Sequence, residues 1–175
     1  MIFKDINELL KNDKFETNFS TINGVFDMLH EGHKDAINQC LERVEKLTIL
    51  VNSDLSTKRI KGQDRPIENI DKRLQNLESF FPNCNIVQFN ELTPVKVLTR
   101  LNPKFHFYSD DWGENLVEMK YLKNTKFLKI FKNIEISTTS IINSSNKITN
   151  KAVILDRDGT ITVDKNYNNN IQNLE

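Results

Sequence analysis

The sequence has no excess of either charge, few cysteines and no long apolar run. Its 24 basic and 24 acidic residues cancel, which argues against an electrostatic nucleic-acid binder. No apolar run reaches the roughly 20 residues that span a membrane, and the N-terminus lacks the basic-then-apolar order of a signal peptide. Cys40 and Cys84 lie in unrelated contexts and indicate neither a disulfide framework nor a zinc site. We therefore expect a cytoplasmic protein with no nucleic-acid or membrane partner.

Short apolar runs alternate with helical patterns along the 175 residues. Apolar residues recur at helical spacing in 36–44, 70–81 and 95–101. Runs rich in Ile, Val, Phe and Tyr predict strands at 19–26, 47–54, 85–89, 104–108 and 126–131. This alternation predicts an α/β fold with a Rossmann-like, doubly wound parallel sheet. Ligands of such sheets bind at the carboxyl ends of the strands, where the strand order reverses.

The stretch NGVFDMLHEGH, from Asn23 to His33, leaves the first of these predicted strands and enters the first of these helices. Gly24 has no Cβ and lets the backbone approach a bulky ligand. The first turn of a helix is an anion site, and imidazoles at His30 and His33 can donate to phosphate oxygens from one side of it. The pair alone is equally compatible with phosphate chemistry and with metal ligation or chance.

Two further polar segments bear on that choice. STKRIKGQDRPI, at 56–67, carries four basic residues around Gly62; such a run is ordinarily a solvated loop, but at this sheet edge it can neutralise a polyphosphate. ISTTSII, at 136–142, places hydroxyls before an apolar helical start. Those hydroxyls indicate an ordinary helix N-cap, which can also receive a phosphate.

The three segments together, in this order and spacing, resemble the cytidylyltransferase-like nucleotidyltransferases with their HxGH motif. The resemblance covers about residues 18 to 145. VNSDLSTKRIKGQDRPI is most similar to the branch that adenylates D-glycero-β-D-manno-heptose 1-phosphate. The resemblance implies the nucleotidylyltransferase α/β phosphodiesterase-type fold. The reaction that it implies is one in which the oxygen of a sugar or polyol phosphate attacks the α-phosphate of a nucleoside triphosphate, ATP in the heptose branch, and pyrophosphate leaves. It also implies Mg²⁺ carried mainly by the nucleotide and water, and a homodimer, since family members are often dimers.

The resemblance also implies roles for individual residues. His30, His33 and Lys61 are expected to be catalytic, the histidines by holding the α- and β-phosphates. Arg73 matches a phosphate-facing family arginine, although an exposed helix charge explains it nearly as well, and Asp27 is expected to orient its loop. Residues expected to bind nucleotide or phosphate are Asn23, Gly24, Phe26, Lys58, Arg73, Ser137, Thr138 and Thr139. Residues expected near the substrate are Asp27, Arg65, Asp111 and Trp112.

Two other functions remain open at this point. The segment SDDWGE at 109–114, with Trp112, is similar to one in the cytidylyltransferases that use CTP and glycerol 3-phosphate, whereas the heptose branch usually has Lys-Gly-Gly-Asp-Tyr there. The second alternative is a non-catalytic binding module with the same fold, against which the intact HxGH and Lys61 argue. His106 is expected to be a packed histidine. Four phenylalanines are expected to build the core rather than a base-stacking platform: Phe80, Phe81, Phe105 and Phe107.

The last segment carries a different motif. AVILDRDGTITVD, at 152–164, resembles the opening of haloacid-dehalogenase phosphatases that act on heptose bisphosphate or histidinol phosphate. Asp156 would be the nucleophile there and Asp158 the general acid, with both on a metal. About 24 residues follow Lys151, too few for that fold, so no phosphatase activity is expected of this chain. We predict a transferase domain at 1–145, a linker at 146–151 and a phosphatase-like fragment at 152–175. Such a fragment is expected in a bifunctional protein that removes a phosphate from heptose bisphosphate and then transfers a nucleotide to heptose 1-phosphate. The agreement between the two resemblances favours heptose 1-phosphate as the substrate.

Overall fold

The computed structural model describes residues 1–13, 15, 18–109, 116–131 and 138–147, with only the backbone of 143–147. The chain divides into two units, the first being Met1–Thr138. The strands are β1 Ile2–Phe3, β2 Ser20–Gly24, β3 Leu47–Asn52, β4 Asn85–Phe89, β5 Phe105–Ser109 and β6 Lys126–Ile130. The helices are α1 Ile6–Leu10, α2 Glu31–Leu41, α3 Asp54–Lys61, α4 Ile70–Phe80, α5 Val95–Leu101, a 3-10 helix Val117–Lys120, and α6 Thr138–Lys147. Within these described ranges, no helix is long and apolar enough to cross a membrane.

The six strands form one sheet in the order β1-β4-β3-β2-β5-β6, and every pair is parallel. The chain runs from β2 outward through β3 and β4, then crosses back to place β5 on the other side of β2. The strand order therefore reverses beside β2, and the loop that follows Gly24 leaves the sheet at this switch point. The predicted doubly wound parallel sheet is confirmed.

Consecutive buried residues of a central strand enter separate hydrophobic clusters because side chains alternate across a sheet. Ile49 belongs to a cluster that includes Ile37 of α2 and Leu77 of α4. Leu50 belongs to a second cluster that includes Leu9 of α1 and Leu98 of α5. Helices α2 and α4 thus cover one face, and α1 and α5 the other. Strand β3 is therefore held on both faces, and it pairs along its length with β2, the strand that carries the site loop.

The basic run after β3 is partly helical, whereas such a run is ordinarily a solvated loop. Helix α3 begins after Ser53, whose side chain accepts a hydrogen bond from Ser56 N, and it ends at Gly62, with φ of 107°. Its last turn holds Lys58, Arg59 and Lys61, where cations complement the negative end of a helix. The serine caps the start of the helix, and the glycine, with its positive φ, allows the chain to leave the helix at the other end. The elements β1 and α1 were also not predicted.

The aromatic predictions are confirmed except for Phe80. Phe81 and Phe107 are buried in the core, and Phe105 packs against it half-buried. Phe80 is 55% exposed, with the Lys34 ammonium 3.8 Å from its ring centre. His106 is buried in β5, and its Nδ1 shares a 2.8 Å hydrogen bond with the Thr21 hydroxyl, so it is a packed histidine.

Two adjacent leucines in α1 test the packing of the second cluster. Leu9 is fully buried, whereas Leu10 is 42% exposed. Replacing Leu9 by Ala should lower the free energy of unfolding by about 2–5 kcal/mol, because a cavity remains. The same change at Leu10 should cost within about 0.5 kcal/mol, measured by urea denaturation followed by circular dichroism. Equal losses at both positions would contradict the packing described.

Candidate active site

The loop between β2 and α2 has an unusual backbone. Phe26 and Met28 adopt φ of 52° and 50°, values that non-glycine residues rarely take and that persist only when the surroundings enforce them. His30 is the N-cap of α2 in an extended conformation, with no side-chain capping bond. The two left-handed residues turn the chain so that Phe26 enters the core while the histidines reach the start of the helix.

The two histidine rings lie together at that helix start. Their centroids are 3.7 Å apart with an interplanar angle of 22°, which is a stacked pair. The Phe26 and His33 rings pack edge to face, with centroids 5.4 Å apart and an interplanar angle of 68°. The structure thus brings together the two residues that the HxGH pattern singled out, and buried aromatic packing fixes one of them.

The environment of His33 keeps its ring neutral. The pKa of His33 is lowered from its usual 6.5 to about 3, chiefly by burial and secondly by the neighbouring His30. Asp27 acts in the opposite direction. Its Nδ1 is buried and has no hydrogen-bond partner among the residues that the structure describes. A neutral imidazole donates one N–H, which suits a phosphate oxygen, and an arriving anion favours the charged ring.

Asp27 anchors the segment that follows α3. The residue is 1% exposed, and its carboxylate accepts hydrogen bonds from the backbone N–H groups of Ile67 and Glu68, each at 2.9 Å. Arg65 pairs with the same carboxylate at 2.8 Å through Nη2. The Thr138 hydroxyl donates to the Asp27 carbonyl at 2.8 Å. The expectation that Asp27 orients its loop agrees with these contacts.

The predicted basic ligands differ in how they are held. The Arg65 side chain is 16% exposed and is already paired with Asp27, also through Nε at 2.9 Å. Lys58 and Lys61 lie exposed in the last turn of α3. Helix α3 starts directly after β3, the neighbour of β2, so its first residue, Asp54, stands at the sheet edge from which the histidine loop also leaves.

Arg73 requires a correction. Its side chain is fully buried, so it is not an exposed helix charge, and its guanidinium presents no surface to a phosphate in this structure. It donates to the Val25 carbonyl, to the Glu68 carbonyl at 3.1 Å and to Asp54 Oδ1 at 2.7 Å. The partners are tertiary contacts, which a helix-face pattern does not reveal.

Gly24 and Phe26 also differ from their predicted roles. A Cβ on Gly24 would lie 3.0 Å from two atoms of the Phe26 ring, so an intramolecular ring fills the approach that we assigned to a ligand. The Phe26 side chain is only 4% exposed, which limits any ligand contact to its backbone. Asn23 lies half-buried as the next-to-last residue of β2.

The remaining predicted residues belong to the second unit or lie outside the residues that the structure describes. Thr139 is exposed in α6 and belongs to the second unit. No group of three or more His, Cys, Asp and Glu side chains able to hold a metal lies within the described ranges. Five predicted site residues lie outside those ranges: Asp111, Trp112, Ser137, Asp156 and Asp158.

Sequence reasoning missed Asp54. Its Oδ2 accepts from the N–H of Ile70 at 3.2 Å, at the start of α4, while Oδ1 pairs with Arg73. An acidic residue directly after the N-cap of α3 reads as an ordinary first-turn carboxylate. Only the tertiary structure joins it to α4.

Comparison with known proteins places this arrangement in a family. The family model described as Cytidylyltransferase-like matches residues 21–144. The chain belongs to the Cytidylyltransferase-like family. This membership indicates a nucleotidyltransferase domain, with the stacked histidines in the first loop of the matched region.

Two curated relatives carry the same name. Bifunctional protein HldE from Shewanella baltica (strain OS155 / ATCC BAA-1091) is 37% identical over 90 residues, which are 51% of this chain and 19% of that protein. The HldE of Shewanella denitrificans is 41% identical over 81 residues, 46% of this chain and 17% of the relative. The match thus spans under a fifth of these relatives' length.

Two solved structures share the fold at low identity. A lipopolysaccharide core biosynthesis protein from Thermoplasma volcanium GSS1 has a TM-score of 0.58 at 24% identity, covering 67% of this chain and 98% of that one. Pantothenate synthetase from Thermus thermophilus has a TM-score of 0.61 at 10% identity, covering 83% of this chain and 70% of that one. These similarities show the fold alone.

The low pKa of His33 predicts its titration. Its pKa of about 3, like the pKa of about 3 that burial gives His106, means that neither ring protonates between pH 8 and 5. A histidine whose pKa is depressed on folding stabilises the fold above about pH 6.5, and that stability is lost as the pH falls toward 3. Nuclear magnetic resonance of histidine-labelled protein resolves the three rings. A midpoint between pH 6 and 7 for His33 would contradict the burial argument.

The close approach of Gly24 and Phe26 predicts the effect of a methyl group. Gly24→Ala should lower the free energy of unfolding by about 1–3 kcal/mol, because the buried ring must shift. In the Phe26→Leu background, which removes that ring, the same change should cost clearly less. Thermal unfolding of the four proteins in this cycle measures the coupling. Strict additivity would show that the ring does not limit this position.

Proposed function

We propose that this domain transfers a nucleoside monophosphate from a nucleoside triphosphate, ATP in the first place, to a sugar 1-phosphate such as D-glycero-D-manno-heptose 1-phosphate, with release of pyrophosphate. The observation that carries the proposal is the stacked pair of His30 and His33 at the first turn of α2, beside the switch point of a parallel sheet. The family membership supports the reaction class.

The proposed chemistry is a single displacement. A phosphate oxygen of the sugar phosphate attacks the α-phosphorus, a new P–O bond forms, and the bond to the pyrophosphate oxygen breaks with its electron pair. No protein nucleophile takes part, so catalysis rests on alignment and charge stabilisation. A Mg²⁺ ion held mainly by the nucleotide and water would neutralise part of the phosphate charge.

The residues of the loop and of α3 divide this work in the proposal. The imidazole N–H groups of His30 and His33 bind the α- and β-phosphate oxygens and stabilise the charge that develops during transfer. Lys61 and Lys58 offset the charge of the triphosphate from the last turn of α3. Thr138, whose hydroxyl donates to the Asp27 carbonyl, would meet the outer phosphates, and the N–H groups at the start of α2 add a positive dipole end.

Asp27 and Arg65 have a shared role in the proposal. Because the Asp27 carboxylate holds both Arg65 and the backbone at Ile67 and Glu68, the 62–69 segment is tied to the histidine loop. The ion pair with Asp27 is made by Nε and Nη2 of Arg65. The Nη1 group is the part of this side chain proposed to meet the sugar phosphate.

The choice of substrate rests on the sequence. The segment from Val51 to Ile67 resembles the heptose branch, and the segment at 152–164 resembles the opening of a phosphatase for a neighbouring step. The runner-up is transfer from CTP to glycerol 3-phosphate, favoured by the SDDWGE segment with Trp112. A cytoplasmic location and a homodimer belong to the same proposal.

Pyrophosphate release tests the proposal directly. Each of ATP, CTP, GTP and UTP is combined with Mg²⁺ and either heptose 1-phosphate or glycerol 3-phosphate. We expect release with ATP and heptose 1-phosphate only. His30→Ala should lower kcat by about 100-fold or more, the scale of losing one transition-state donor.

The matched control is His106→Gln, which changes the remaining histidine, inside the sheet. It should retain kcat at a temperature where the protein stays folded. Release with CTP and glycerol 3-phosphate would establish the runner-up. An unchanged rate in His30→Ala, or equal losses in both histidine variants, would contradict the assigned role.

A further inference from the structure

Arg73 is the point where three segments of the site meet. Through Nη1 it donates to the Val25 carbonyl, at the start of the histidine loop. Through Nε it donates to the Glu68 carbonyl, at the end of the 62–69 segment. Through Nη2 it pairs with Asp54, the first residue of α3, at 2.7 Å. One buried side chain therefore links three segments that carry proposed phosphate ligands: the histidine loop, α3 and the 62–69 segment.

Asp54 extends this link to the helix that carries Arg73. Its second oxygen accepts the N–H of Ile70, the first residue of α4, at 3.2 Å. Its own helix is fixed to the sheet, because the N–H of the preceding Ser53 donates to the Phe89 carbonyl at the end of β4 at 2.9 Å. The starts of α3 and α4 are thus held together and tied to the sheet.

We propose that Arg73 and Asp54 are a positioning pair for nucleotidyl transfer, which sets the geometry of the histidine loop, α3 and the 62–69 segment without touching substrate. This inference rests on the proposed function. Arg73 has no exposed surface, so it acts only through the groups it holds. Its path to the histidines is short: Val25 precedes Phe26, whose ring packs against His33.

The chemistry of the guanidinium explains why an arginine occupies this position. Its planar fork donates in several fixed directions, whereas a lysine ammonium is a compact and strongly hydrated charge. Lysine would keep the positive charge but would not satisfy three partners at this geometry. Asparagine at position 54 would keep the shape of the carboxylate and leave the buried guanidinium without a counter-charge.

The first test measures kcat and KM separately for Asp54→Asn and Arg73→Lys. A positioning role predicts a fall in kcat of about 10- to 100-fold, since small misplacements weaken transition-state alignment. The KM for each substrate should stay within about threefold, because no substrate contact is removed. The double variant should lose much less than the product of the two single losses.

A matched control separates positioning from loss of stability. Leu98→Val, in the second hydrophobic cluster, destabilises the fold without touching the three segments. At temperatures where all variants are folded, Leu98→Val should keep the wild-type kcat. A kcat within about twofold of wild type in Asp54→Asn, or a loss entirely in KM, would overturn the proposal. Equal losses in Leu98→Val at matched thermal stability would overturn it as well.

The second test does not depend on activity. The chain has three histidines, so the ring signals of labelled protein report on the pair and on His106 as an internal reference. Arg73→Lys should shift the signals of His30 and His33 and leave that of His106 in place. Unchanged signals for the pair would overturn the positioning role. A wild-type protein that releases no pyrophosphate with any substrate pair would overturn the proposed function, whereas the ring signals would still decide this inference.

Discussion

The buried carboxylate of Asp27 is the constraint on which the rest of the site depends. A carboxylate removed from water must be met by donors at nearly every lone pair, and here the donors come from Arg65 and from the backbone of Ile67 and Glu68. The 62–69 segment is therefore folded against the histidine loop. The Asp27 backbone contributes as well, since its carbonyl accepts the Thr138 hydroxyl.

The histidine loop has a strained backbone that rigid surroundings hold in place. Two non-glycine residues with left-handed φ are held by the Phe26 ring in the core on one side and by the Asp27 network on the other. The stacked imidazoles are consequently placed before any ligand arrives. In the proposed nucleotidyl transfer, donors that are already in place would avoid reorganisation during the reaction. Burial of His33 keeps its ring neutral.

The sequence was informative where local pattern decides structure. The parallel sheet, the boundaries of β4 and α5, and the meeting of His30 with His33 all follow from periodicity and spacing. The family resemblance added the chemical class. Phe80 was misassigned because a hydrophobic residue at the end of a helix can be covered by a lysine stem and ammonium instead of by the core.

Features that depend on tertiary contacts were beyond sequence reasoning. Helix α3 was not predicted, because a basic run is ordinarily a solvated loop. Only the capping Ser53 and the terminal Gly62, taken together, indicate a helix between them. The roles of Arg73 and Asp54 depend on their pairing across 19 positions and on the contact of Arg73 with Val25, 48 positions away. The glycine at position 24 faces a ring from its own loop, and no spacing rule distinguishes that ring from a ligand.

A crystal structure of the protein with Mg²⁺ and a non-hydrolysable ATP analogue tests the central claim most directly. The account predicts that the α- and β-phosphate oxygens lie within hydrogen-bonding distance of His30 and His33, at the first turn of α2. Phosphates bound elsewhere on the sheet edge, with the stacked imidazoles left untouched, would contradict it.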